Sequence, residues 1–213
     1  MKNSRRLFLS RPTLFIILTS AVFLTLMLPS VVYLQSQSDE ANQDGDKILE
    51  NEEDFHPPVK MTLVKSQIGV IKPGSKISDG EDWFKGLALT VRNDSEKPIT
   101  YISLRIRFPR PKGQENKLDF VERLNYGESP IPSADGQVPY NSAKPIMSGE
   151  SVEIKLSDED YNDIKLALQD SKYPPSIKKI KIAVLTLGFN DGTIWVGGKR
   201  YQLDKNNPGK LIP

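Results

Sequence analysis

The stretch Trp83–Phe108, WFKGLALTVRNDSEKPITYISLRIRF, carries the strongest structural pattern in the chain. Apolar residues alternate with polar ones up to a polar break at residues 93–98, and the alternation resumes after it. A period of two on both sides of a polar turn is typical of an antiparallel β-hairpin with one buried face. The predicted inner pairs are Leu89 with Ile102, Leu87 with Leu104, and Trp83 with Phe108.

The polar positions around the same two strands form a basic outer face in this prediction. Arginine side chains in such an arrangement can bind carboxylate or phosphate groups. The alternative is that outer strands are charged only for solubility and to discourage edge pairing. The candidate anion-binding or partner-binding residues are Lys85, Arg92, Tyr101, Arg105, Arg107 and Arg110.

Other parts of the body also favour β-strands. The apolar run Ile180–Phe189 is typical of a central strand buried on both faces. The turn residues Asn190–Thr193 then predict a hairpin with a return strand at Ile194–Val196. Further strands are predicted at Met61–Val70, Leu118–Tyr126 and Val152–Leu156.

One short helix is predicted after Ser157, which can cap its N-terminus before a run of acidic residues. Pro174 and Pro175 prevent continuation of that helix. Its predicted packing stripe is Tyr161, Ile164 and Leu168. Short strands, hairpin turns and one helix predict a mainly β fold, an immunoglobulin-like or fibronectin-like β-sandwich, with a small barrel as the alternative.

The N-terminal part reads as a membrane signal. Residues 1–11 form a basic tip, and residues 12–34 are uncharged and mainly apolar. A helix over Thr13–Leu34 would be about 33 Å long at ~1.5 Å per residue, enough to cross a hydrocarbon core of roughly 30 Å. We therefore predict a transmembrane signal-anchor at 12–34, with a cytoplasmic N-terminus and an extracytoplasmic body. The alternative is a signal peptide cleaved near Ser38, which would make the protein secreted.

The segment that follows the apolar run is acidic. Residues 35–58 contain few apolar side chains, which predicts a disordered stalk. Its acidic residues are Asp39, Glu40, Asp44, Asp46, Glu50, Glu52, Glu53 and Asp54. This stalk could instead fold back onto the basic face as an internal partner. Residues 59–213 have no cysteine and are predicted to form one domain that depends on its apolar core alone.

The sequence contains no catalytic or cofactor motif that stands above background. The single histidine, His56, lies in the predicted stalk, and without cysteine there is neither thiol catalysis nor a thiolate metal site. Turns at Asp79–Asp82 and Asn190–Thr193 contain oxygen ligands, but turn conformation alone explains these residue types. We predict no enzyme activity, no cofactor and no metal. The alternative is a secreted carbohydrate-active enzyme with paired carboxylates, for which Glu122 and Glu128 are candidates.

Two short segments resemble parts of known proteins. Leu87–Ile99, LALTVRNDSEKPI, is similar to an apolar strand that ends in an Asn-x-Ser turn before Pro-Ile. Phe189–Trp195, FNDGTIW, with Gly198 and Asp204 after it, resembles a C-terminal hairpin. Both features resemble uncharacterised exported bacterial proteins with immunoglobulin-like or fibronectin-like β-sandwich domains. The resemblance implies a fold and a compartment, and no functional residues carry over.

These patterns predict a membrane-anchored β-sandwich that acts as a binding or assembly module in the cell envelope. The predicted partners are the membrane, through residues 12–34, and an envelope protein or an anionic glycan. Nucleic acid is not expected in that compartment. A structural envelope protein without a specific ligand is a further alternative. Asn93-Asp94-Ser95 also matches the N-glycosylation acceptor motif, which matters only in a eukaryotic source.

Overall fold

The folded body is mainly β, as predicted. The computed structural model describes residues 46–52, 55–78, 80–131, 143–204, 207 and 210–212. Within these ranges the strands are β1 Lys47–Asn51, β2 Val59–Ser66, β3 Gly69–Val70, β4 Lys76–Ile77, β5 Ala88–Asn93, β6 Ile99–Phe108, β7 Phe120–Tyr126, β8 Ser151–Lys155, β9 Lys179–Phe189, β10 Thr193–Val196, β11 Lys199–Leu203 and β12 Leu211–Ile212. The helix α1 spans Asp158–Asp170.

The larger sheet, sheet A, has eight strands and is organised around β9. β6 pairs antiparallel with one edge of β9, and β7 pairs with the far edge of β6. On the other edge, β1 pairs in parallel with the first part of β9, and β10 pairs antiparallel with its last part. β4 extends the sheet beyond β1, while β11 and β12 extend it beyond β10. The prediction that β9 is a central strand with β10 as its hairpin partner is confirmed.

The smaller sheet, sheet B, has the strand order β3-β2-β5-β8, and every pairing in it is antiparallel. Its inner side chains and those of sheet A meet in one apolar core. Val64 and Leu89 contribute from sheet B, and Leu104 and Ile182 contribute from sheet A. The molecule is therefore built from two sheets packed around a shared core.

The predicted hairpin between β5 and β6 is wrong, although its buried residues are predicted correctly. Leu89 pairs with Val64 and Ile154 in sheet B, whereas Ile102 pairs with β7 and β9 in sheet A. The chain crosses from one sheet to the other at residues 94–98. Alternation shows which side chains face the core. Two strands on opposite sides of one core show the same alternation as two neighbouring strands of a hairpin, so the pattern does not identify the pairing partner.

The crossing between the sheets is held by the side chain of Asn93, of which 1% is exposed. Its Nδ2 donates hydrogen bonds to the carbonyl oxygens of Lys97 and Ile146, both at 2.9 Å. Its Oδ1 accepts from the backbone N–H and the hydroxyl of Ser95, at 2.9 and 2.7 Å. Because the amide is buried and all of its hydrogen-bonding groups are used, the side chain of Asn93 is not accessible for glycosylation in this fold.

The predicted stalk boundary is wrong for residues 46–52, because this part of the acidic segment belongs to sheet A. Lys47–Asn51 form β1, and Leu49 is completely buried in the core. The compact unit accordingly begins at Gly45 rather than after Pro58. The mean composition of residues 35–58 concealed the apolar pair Ile48-Leu49, which is enough to place a short strand beside β9.

The predictions for residues 1–11 and 12–34, and for the stalk up to residue 45, lie outside the described residues. Among the residues that the structure describes, no helix is both long and apolar enough to cross a lipid bilayer. The transmembrane helix at residues 12–34 therefore remains a prediction from sequence.

The other local predictions are confirmed, except for the strand predicted at Met61–Val70. The hydroxyl of Ser157 accepts the Asp160 backbone N–H at 3.0 Å, which caps the N-terminus of α1. The buried side of α1 consists of Tyr161, Ile164 and Leu168. The strands predicted at Leu118–Tyr126 and Val152–Leu156 correspond to β7 and β8, whereas the single strand predicted at Met61–Val70 is instead two antiparallel strands, β2 and β3, joined by a turn. Local cap chemistry and periodicity thus determine these elements without information about distant parts of the chain.

The two tryptophans lie in the interior, as predicted, with 0% of Trp83 and 3% of Trp195 exposed. Trp83 packs edge-on against Phe84 at a centroid distance of 5.9 Å, and Phe84 packs against Phe108 at 5.6 Å. The indole N–H of Trp83 donates to the Ile177 carbonyl at 2.8 Å. These contacts join the turn before β5 to sheet A and to the segment that leads into β9.

Candidate functional site

Glu52 places a carboxylate on the outer face of sheet A. β1 runs parallel to the start of β9, with Glu50 opposite Lys181. The next residue of β9, Ile182, is buried in the core, so Lys181 and Glu50 project from the opposite, outer face. The Glu52 backbone N–H donates to the Ile182 carbonyl at 2.7 Å, which continues the pairing past the end of β1.

Two arginines of β6 bind the Glu52 carboxylate. Arg105 Nη2 donates to Glu52 Oε2 at 3.0 Å, and Arg107 Nη2 donates to Oε1. Each guanidinium group therefore takes a different carboxylate oxygen. The exposed fraction of the side chain is 9% for Glu52, 28% for Arg105 and 31% for Arg107. We call Arg105, Arg107, Lys181 and Glu52 the arginine face.

Charged neighbours leave an excess of positive charge around the arginine face. Lys181 Nζ lies 3.8 Å from Glu52 Oε1 and 3.9 Å from Glu50 Oε2. The further ion pairs are Lys179 with Glu50 at 2.9 Å and Arg107 with Asp119 at 3.5 Å. Four cationic side chains thus meet three carboxylates in this network. Partly exposed ion pairs of this kind contribute only about 0–1 kcal/mol each to stability. Stabilisation of the fold is therefore a weak explanation for this cluster of charges.

Three buried polar atoms on the same side of β6 have no hydrogen-bond partner in the described part of the chain: Ser103 Oγ, Arg105 Nε and Arg107 Nε. Alternate residues of a strand project to one face, so these atoms lie along the arginine face. The exposed fraction of Ser103 is 1%. A buried polar atom without a partner costs about 1–3 kcal/mol. The face therefore retains polar groups that the described contacts leave unused.

The predicted single basic face is wrong for two of its residues, because β5 and β6 lie in different sheets. Arg92 is in sheet B, where its Nε donates to Asp94 Oδ1 at 2.6 Å. This hydrogen bond with Arg92 lowers the pKa of Asp94. Lys85 precedes β5, and its Nζ lies 5.8 Å from the centroid of the Tyr161 ring on α1. Both side chains are thus engaged away from sheet A's outer face.

The other two predicted residues belong to the sheet A side but do not join the arginine face. Tyr101 is buried, with its hydroxyl donating to Asn125 Oδ1 at 3.2 Å. The Arg110 guanidinium lies 4.6 Å from the Tyr173 ring centroid and donates from Nη1 to the Ser171 carbonyl at 2.9 Å. Since α1 has no basic residue in its last turn, Arg110 supplies the positive charge at its C-terminal end. Of the six predicted residues, only Arg105 and Arg107 meet at one site.

The sequence prediction missed Lys181 and did not select Glu52. Lys179 and Lys181 alternate with Ile180 and Ile182, a period of two that extends the predicted central strand toward its N-terminal end. That alternation would have been sufficient to place both lysines on the outer face. The hypothesis that the acidic segment folds back onto the basic face is confirmed for Glu52.

The oxygen-rich turns named above are engaged in contacts within the fold. Asp82 accepts a hydrogen bond from the Tyr161 hydroxyl and lies 3.1 Å from Lys165 Nζ, and these two groups lower the pKa of Asp82. Asp191 accepts from Lys97 Nζ at 2.6 Å, a bond that is the main cause of its pKa falling to about 2. Within the described ranges, no group of three or more His, Asp or Glu side chains is placed to hold a metal ion.

The two carboxylates proposed for an enzyme lie in different structural settings. Glu122 is on β7, where its Oε1 accepts the Arg123 backbone N–H at 2.9 Å. Glu128 is exposed in the connection after β7. The paired-carboxylate enzyme stays a prediction, which these positions do not test.

No protein-family model matches the chain, and no match is found among curated proteins or solved structures. The arginine face is thus the feature on which a functional proposal can be based. It combines two partly exposed guanidinium groups, a bound carboxylate and the partly exposed Lys181.

Proposed function

We propose that the chain is a single-pass membrane protein whose two-sheet domain lies outside the cytoplasm and binds an acidic segment of another envelope protein. The membrane part is supported by the sequence, where the basic residues 1–11 precede the apolar residues 12–34. Positive charge on the N-terminal flank favours a cytoplasmic N-terminus. Cleavage near Ser38, the alternative, would release the same domain with the same arginine face.

The domain is proposed to be a sandwich of the immunoglobulin-like or fibronectin-like type. Two sheets share one core, and the chain crosses between them after β5, which is how consecutive strands of such sandwiches change sheets. Fold type alone does not assign a function, so the binding role is argued from the residues on the outer face of sheet A.

The observation that carries the binding proposal is that Arg105 and Arg107 hold the two oxygens of one glutamate side chain. Guanidinium groups recognise carboxylates through charge-assisted hydrogen bonds with defined geometry. The face already accommodates a glutamate, which favours an acidic polypeptide over a sulfated glycan as the partner. The local positive excess would also speed the encounter with an acidic surface.

The exchange Arg107→Gln should weaken the binding of an acidic peptide about tenfold or more. The exchange removes the charge and the Nη2 donor that binds Glu52, and one hydrogen bond to a charged group contributes about 1.5–3 kcal/mol. The measurement is fluorescence anisotropy of a labelled octaglutamate peptide, titrated with the full chain in detergent at low ionic strength.

The matched control for this exchange is Arg92→Gln, which removes the same charge from sheet B. Arg92 is paired with Asp94, so its loss should change octaglutamate binding less than about twofold. Equal losses for the two variants would contradict a site at the arginine face. Much tighter binding of a sulfated polysaccharide than of octaglutamate would favour an anionic glycan as the partner.

The membrane topology gives an independent prediction. Alkaline phosphatase fused after Pro213 should be active in a bacterial host and remain with the membrane fraction, because residues 12–34 hold the domain on the exported side. Deletion of residues 12–34 should abolish that activity. Full reporter activity without residues 12–34 would contradict their role in export.

A further inference from the structure

The arginine face is occupied by the protein's own carboxylate. Glu52 lies against Arg105 and Arg107, and only 9% of its side chain is exposed. A carboxylate from a partner would need the same guanidinium N–H groups. Glu52 and the partner therefore compete for one pair of arginines.

Glu52 can release the arginines without disrupting β1. Its backbone is held separately, by the hydrogen bond to the Ile182 carbonyl and by the pairing of residues 48–51 with residues 179–182. Rotation of the Glu52 side chain is thus sufficient to free both guanidinium groups. The anchored backbone also keeps the carboxylate beside the face while a partner is bound.

The arginine face has more binding capacity than Glu52 uses. Lys181 Nζ lies 3.8 Å from Glu52, which is too far for a hydrogen bond, and 26% of the lysine side chain is exposed. The side chains of Arg105 and Arg107 are also about as exposed as that of Lys181, at 28% and 31%. A ligand with several negative groups can therefore make contacts with the face that one glutamate does not make.

We infer that Glu52 is an internal competitor that weakens the binding of every carboxylate ligand to the arginine face, so that only segments with several carboxylates bind at low concentration. This inference rests on the proposed function. A tethered group competes at an effective concentration on the order of millimolar, which excludes isolated carboxylates below that concentration. A segment with several carboxylates binds Lys181 as well as the arginines, and so displaces Glu52.

The exchange Glu52→Gln tests this inference, because it removes the competing charge and leaves the arginines in place. The affinity for labelled octaglutamate should rise about tenfold, and the acetate concentration that displaces the peptide, measured at a peptide concentration well below its Kd, should fall about tenfold. The full chain in detergent is used, and urea unfolding of each variant checks that it is folded. Glu52→Asp, which keeps the charge but shortens the reach, should shift both values less and in the same direction.

The matched control is Glu153→Gln, which removes one carboxylate from sheet B, where Glu153 pairs with Lys65 at 2.6 Å. This control should change octaglutamate affinity less than about twofold. Equal gains for Glu52→Gln and Glu153→Gln would overturn the inference, because net charge would then explain both, and the proposed function would stand. The inference would also be overturned if neither Glu52→Gln nor Glu52→Asp bound octaglutamate more tightly than the wild type. If neither the wild type nor Glu52→Gln binds octaglutamate, the proposed function itself fails.

Discussion

Replacement of Trp83 with alanine is expected to lower the free energy of unfolding by about 3–5 kcal/mol. The ring is completely buried, so the exchange leaves a large cavity in the core. Edge-on contact with Phe84 is lost with it, and such aromatic pairs contribute about 0.5–1.5 kcal/mol beyond the area they bury. The Ile177 carbonyl also loses the indole N–H that it accepts at 2.8 Å.

The position of Trp83 explains why this effect should be large. Trp83 precedes β5, one of the two inner strands of sheet B, and Ile177 precedes β9, around which sheet A is organised. One side chain thus joins the segments that lead into both sheets. Loss of the ring would loosen the packing of the two sheets rather than one local turn.

Urea unfolding of the full chain in detergent, followed by circular dichroism, measures this effect, and the fluorescence of buried Trp195 gives a second signal. Trp83→Phe is the informative control, since it keeps an aromatic ring but removes the N–H donor. It should cost about 1–3 kcal/mol. A loss below about 1 kcal/mol for Trp83→Ala would contradict the burial of this ring.

The buried residues could be predicted from sequence because periodicity reports directly on burial. The alternation around Leu89 and Ile102 gave the correct inner side chains in both strands. It did not give their neighbours, because pairing depends on the path of the chain at residues 94–98. Asn-Asp-Ser there reads as a hairpin turn, whereas the buried Asn93 amide directs the chain into the other sheet.

Part of the arginine face could also be predicted from sequence, because periodicity shows which side chains of a strand share a face. Arg105 and Arg107 are correctly placed on an outer face because they share the register of β6. Lys85 and Arg92 were assigned to that face only through the incorrect hairpin. Glu52 joins the site through parallel pairing of β1 with β9, a contact between distant parts of the chain that no local pattern encodes.

The exchange Asn93→Ala is the second large effect, with an expected loss of about 2–3 kcal/mol of unfolding free energy. The Asn93 side chain takes part in four hydrogen bonds, to Lys97, Ile146 and two groups of Ser95. Alanine leaves the buried backbone N–H of Ser95 without its acceptor, and the Lys97 and Ile146 carbonyls each lose one of the two hydrogen bonds that they accept. Urea unfolding of the full chain measures the loss.

Asn93→Asp separates the donor role of this side chain from its acceptor role. An aspartate keeps an oxygen for the N–H and hydroxyl of Ser95, but it brings a carboxylate toward the carbonyls of Lys97 and Ile146. It should therefore destabilise at least as strongly as alanine. Asn162→Ala, at an exposed position of α1, should change stability by less than about 0.5 kcal/mol. If Asn93→Asp were as stable as the wild type, the two Nδ2 hydrogen bonds would not be what holds the chain at its crossing between the sheets.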